Sequence, residues 1–70
     1  MKDFNELFVL GRILANEWRY PSITKKYRKT WNKAYALLQS WGISHTNTII
    51  IIERFRDGKR VDLRSYSNDI

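Results

Sequence analysis

Lys25, Lys26, Arg28, Lys29 and Lys33 place five cations within nine residues, and no acid occurs between Glu17 and Glu53. Placed on a helix, Lys25, Lys29 and Lys33 fall on one line at intervals of about 5.4 Å per turn, a spacing that can track a phosphate backbone. The chemistry on offer is neutralisation of a polyanion. The fold itself gains nothing from the pattern. Each like-charge pair four residues apart costs roughly 0.2–0.5 kcal/mol in an isolated helix. Cations in a first turn oppose the helix dipole by roughly 0.3–1 kcal/mol each. If all five met phosphates on duplex DNA, log K would fall with log salt at a slope of roughly −4.5. The competing reading is a solvated face that keeps a small protein soluble.

A second cluster, Arg54, Arg56, Lys59, Arg60 and Arg64, is interleaved with Glu53, Asp57 and Asp62. On a two-stranded ribbon its arginines could read guanine in a major groove. The charges of Glu53 and Asp62 read more simply as protection of an edge strand. Among the aromatics, Trp18, Tyr27, Trp31 and Trp41 lie on faces that must build a core. Tyr20, Tyr35 and Tyr66 are the exceptions, and Tyr35, at the border of the apolar and basic arcs, is the best candidate to stack on a base.

Nothing in the sequence points to catalysis. His45 is the only histidine, beside Ser44 and Thr46 with no second histidine, cysteine or paired acids near it. Gly11, Gly42 and Gly58 are isolated and form no phosphate loop. No cofactor and no metal is expected, and the reading is non-enzymatic.

Seventy residues make one small domain, with no cysteine to staple it. A chain of this size buries only about 60% of the surface its unfolded form exposes. Three Trp, four Tyr and three Phe compensate with large buried areas, and dimerisation is a further remedy. The net charge of +6 favours nucleic acid, an anionic membrane surface or an acidic protein as partner. Asp3 and Glu6 oppose a signal peptide, and no window reaches a membrane span, so a cytoplasmic location is expected.

Three elements must position these residues. A helix over about 3–19 opens on Asp3 with Glu6 in a capping box. It carries Phe4, Leu7, Phe8, Leu10, Gly11, Leu14, Ala15 and Trp18 on one arc. A minor apolar patch of Val9, Ile13 and Tyr20 asks for a second subunit or partner. Tyr20-Pro21 ends it. Ser22 then caps a basic helix over about 23–41, with Gly42 as its left-handed C′ residue and Ile43 as the apolar contact beyond. A weaker alternative starts this helix at Thr30 and leaves 22–29 as a basic arm. The four isoleucines Ile49–Ile52 signal a strand, Asp57-Gly58 a tight turn, and Arg60–Tyr66 a returning strand, giving a hairpin over about 48–66. With a two-residue turn Ile52 faces Leu63 and Arg54 faces Val61, but Glu53 then opposes Asp62, a repulsion that a longer bulged loop would relieve.

The expected fold is therefore α+β: two antiparallel helices followed by a C-terminal β-hairpin. In architecture alone this order resembles helix-turn-helix proteins with a β-wing, with the basic helix as the one entering the groove. Its lysines would grip phosphate without reading sequence. The expected function is a small, regulatory nucleic-acid-binding protein, for DNA or RNA. The proposed contact residues are Lys25, Lys26, Arg28, Lys29, Lys33, Tyr35, Arg54, Arg56, Lys59 and Arg60. The alternative is an inhibitor or adaptor that blocks an acidic protein, with Arg19, Tyr20, Arg54 and Arg56 as its hot spots. Membrane binding is disfavoured, because the basic helix needs its apolar face for the core.

Overall fold

A computed structural model describes residues 4–18, 22–63 and 66. It contains three helices, α1 (Phe4–Glu17), α2 (Lys25–Ser40) and α3 (His45–Arg56), and no strand among the described residues. The fold is all-α, and the expected hairpin does not form. The capping role of Asp3, the Tyr20-Pro21 stop and Arg19 lie outside the described residues.

The isoleucine run is helical for reasons that lie on both sides of it. Ser44 is an N-cap whose hydroxyl accepts from the Asn47 N–H. Thr48, Ile51, Ile52 and Phe55 then recur at the i, i+3, i+4, i+7 spacing of an amphipathic helix. The first three are buried, and Phe55 packs against the core. The Asp57-Gly58 dipeptide is a helix stop instead of a hairpin turn. Gly58 has φ +73°, Gly58 N–H donates to Phe55 O at 3.1 Å, and Lys59 N–H donates to Arg54 O at 2.9 Å. Those paired bonds are a Schellman motif. Beyond it none of the described residues pairs as a strand: Leu63 is buried and Asn47 Nδ2 donates to Tyr66 O. The facing of Ile52 by Leu63 and of Glu53 by Asp62 in a ladder is thereby replaced.

α2 begins at Lys25, five residues before Thr30, so most of 22–29 is helix and not a free arm. Its cap is Thr24, not Ser22, and the Thr24 hydroxyl accepts from the Tyr27 N–H at 3.1 Å. At the other end a second Schellman motif forms at Gly42, φ +82°, where Gly42 N–H donates to Gln39 O and Ile43 N–H to Leu38 O. Leu38 and Ile43, the apolar pair that accompanies such a stop, are both buried. The following turn is held by polar groups. Thr48 is fully buried, with its hydroxyl donating to Ser44 O at 2.7 Å and accepting from Gln39 Nε2 at 3.1 Å.

Ring contacts fix the topology. Trp18, just after α1, lies 5.1 Å from Tyr27 at the start of α2, and Phe4 lies 5.1 Å from Trp41 at the end of α2. α1 and α2 are therefore antiparallel, as expected. Arg56, ending α3, lies over Trp18, so α3 runs parallel to α1. The core between them is Leu7, Leu10 and Leu14 from α1, Tyr27, Ala34 and Leu38 from α2, and Ile51 and Ile52 from α3, closed by Ile43 and Leu63. α1 and α3 approach closely at Gly11, where a Cβ would stand 3.0 Å from Phe55 Cβ. Of the minor patch of α1, Val9 is 55% exposed and Ile13 half-buried, and Tyr20 lies outside the described residues; Phe8, expected on the core arc, is 49% exposed with its ring edge-on to Phe55.

Candidate nucleic-acid interface

Burying Tyr27, Thr30, Ala34 and Leu38 turns the opposite side of α2 outward. Lys25, Lys26, Arg28, Lys29 and Lys33 are all exposed. Lys26 alone of the five pairs with a described acid, Glu17 Oε1 at 3.3 Å. The pair bridges α1 to α2 and, with 74% of the lysine side chain exposed, is worth at most about 1 kcal/mol. Lys25, Lys26, Arg28, Lys29 and Asn32 line one shallow recess. α2 itself carries no acid, and its first turn adds the positive end of the helix dipole to Lys25 and Lys26.

The second cluster divides by direction. Arg56 is committed to the fold. Its guanidinium lies 4.1 Å from the Trp18 ring centroid, and its Nε bonds Asp57 Oδ1 at 3.1 Å. Burial disfavours its charge, but the neighbouring Tyr27 phenol and Asp57 carboxylate outweigh this, and its pKa is raised above the ordinary arginine value. Arg54, two positions earlier, points to the opposite side of the helix, since consecutive residues advance about 100°. Arg54, Lys59 and Arg60 are exposed. Arg56 over Trp18, whose ring lies beside Tyr27, places this cluster at the end of the bundle where α2 begins, although not on the lysine face.

Tyr35 is half-buried on the flank of α2, and its hydroxyl is fixed 2.7 Å from His45 Nδ1. Its ring stacks on Trp31, with centroids 5.5 Å apart and planes 14° from parallel. The sequence reading assigned Trp31 to the core, but only part of it packs there. With Tyr27, Arg28 and Asn32 it lines a second open recess. The signal was present: residues four apart differ by only about 40° around a helix. Trp31 therefore shares the border position already assigned to Tyr35.

Among the described residues no cluster of His, Asp or Glu could hold a metal, and no helix is long and apolar enough to cross a membrane. No protein-family model matches the chain, and neither does any curated protein or solved structure.

Proposed function

We propose that this protein is a non-enzymatic, regulatory, cytoplasmic nucleic-acid-binding protein that grips the phosphate backbone with the exposed face of α2. The observation that carries the reading is the unpaired alignment of Lys25, Arg28, Lys29 and Lys33 on one solvent face, with no described acid bridging any of them. Such a face is unfavourable for the isolated helix and becomes favourable opposite negative charge. Fluorescence anisotropy with labelled duplex DNA, single-stranded DNA and RNA tests it. Wild type should bind at low salt, and Lys25→Glu/Lys29→Glu/Lys33→Glu, folded by circular dichroism, should lose at least tenfold in affinity. No binding of any of the three nucleic acids at low salt would sink the reading.

A second reading, a protein-binding inhibitor or adaptor directed at an acidic partner, draws on a different surface. Phe8 and Val9 on α1 stay about half exposed, as an apolar anchor for a partner or a second copy requires. Under that reading Val9→Glu removes the interaction and the lysine substitutions leave its anchor intact.

A further inference from the structure

The lysine recess and the aromatic recess adjoin, since Arg28 and Asn32 line both. One wall is cationic and the other is the Trp31 ring, itself stacked on Tyr35. The aromatic recess, about 270 Å³ and open to solvent, is smaller than the roughly 300–1,000 Å³ of sites that enclose a drug-sized ligand. It suits a single planar ring laid against Trp31. The stack is pre-organised. Tyr35 is held by His45 from the start of α3, with the imidazole edge-on at 70° and the hydroxyl contact at 2.7 Å. Beside the ring, Arg28 supplies a charged plane, and the Asn32 amide supplies both a donor and an acceptor for a base edge.

Resting on the backbone-gripping reading above, we infer that the ligand is single-stranded nucleic acid, with an unstacked base against Trp31 and the adjoining phosphates over Lys25 and Lys29. A duplex satisfies the lysines equally well but keeps its base faces stacked inside, leaving the aromatic wall without a partner. A single strand offers both: phosphates for the recess of cations, and a free π-face for the ring beside it. Because every base has such a face, the site tolerates many sequences. Asn32 adds at most a mild preference.

Anisotropy with three ligands of equal length separates this inference from the reading it rests on. These are labelled oligothymidylate, the same backbone made abasic, and a duplex. Wild type should bind oligothymidylate roughly 5- to 150-fold more tightly than the abasic strand, the range expected for one stacked base. Trp31→Leu should erase that advantage while leaving abasic and duplex affinities within twofold, and Trp31→Phe, which keeps a π-face, should retain most of it. If wild type binds the abasic strand as tightly as oligothymidylate, the inference is overturned and the phosphate grip stands. The abasic comparison needs no substituted protein, so it remains decisive even if Trp31→Leu fails to fold. If neither strand nor the duplex binds, both fall together.

Discussion

Arg56 shows how much a residue's surroundings add to what its charge alone reveals. In the sequence it is one of several cations near Asp57-Gly58. In the structure its side chain is only 18% exposed, laid on Trp18 and bonded to Asp57. It thus ties the end of α3 to the end of α1 and the start of α2. Because its folded pKa is raised, the charge contributes stability that is fully present below the unfolded value and lost only above the folded one. Both lie beyond the working range, so this contact is constant across neutral pH. Its worth depends on a planar, weakly hydrated cation over a ring. Arg56→Lys keeps the charge and loses the plane. It should lower stability by about 1 kcal/mol in urea denaturation at any pH between 6 and 8, with nucleic-acid affinity unchanged. A loss of affinity without a loss of stability would return Arg56 to the interface.

At the scale of elements, α1, α2 and the stop at Gly42 were legible in the sequence, and α3 was not. A clean amphipathic pattern marked α2, although its cap is Thr24 and not the expected Ser22. The glycine after Trp41 marked its end, and Gly42 does take the left-handed conformation that only glycine adopts without strain. For α3, four β-branched residues outweighed a helical pattern that was equally present in Thr48, Ile51, Ile52 and Phe55. Strand propensity spans only about 1 kcal/mol across residues, and isoleucine costs well under 1 kcal/mol in a helix. Burial of one such side chain is worth roughly 1.5–3 kcal/mol, so packing decides. Asp-Gly was similarly ambiguous, since a hairpin turn and a Schellman stop both use glycine at positive φ. The interface was legible as a charge pattern, but its aromatic wall was not, because a ring half in the core and half in a recess satisfies both assignments. The helix carries its own test. Adjacent residues of a strand face opposite sides, whereas Ile51 and Ile52 are both buried. Ile51→Val and Ile52→Val should each cost about 0.5–1.5 kcal/mol, and Ile49→Val and Ile50→Val, both half-buried, distinctly less. An alternating pattern of costs along the four positions would restore the strand.

At the scale of the whole molecule the question is whether binding follows net charge or placement. A charge of +6 attracts any polyanion, and removing any three cations would weaken that attraction equally. A face behaves differently, because only cations that meet phosphate release counterions. Two sets of equal charge can be compared: Lys25, Lys29 and Lys33 on the open side of α2, and Arg54, Lys59 and Arg60 at and beyond the end of α3. With four α2 cations engaged, since Lys26 is drawn toward Glu17, log K against log salt should fall at roughly −2.8 on a single strand and roughly −3.6 on duplex DNA. Replacing Lys25, Lys29 and Lys33 by Gln should reduce the single-strand slope by about 2, and the same change at Arg54, Lys59 and Arg60 should leave it within about 0.5. Equal reductions would mean that the net charge acts as a diffuse field. A larger effect from the second set would move the interface off α2 altogether. The expected asymmetry follows from the fold: burial of Tyr27, Ala34 and Leu38 turns the lysine line into solvent as one surface. The second cluster is broken up by Arg56, turned inward onto Trp18, and by Arg54, turned the opposite way.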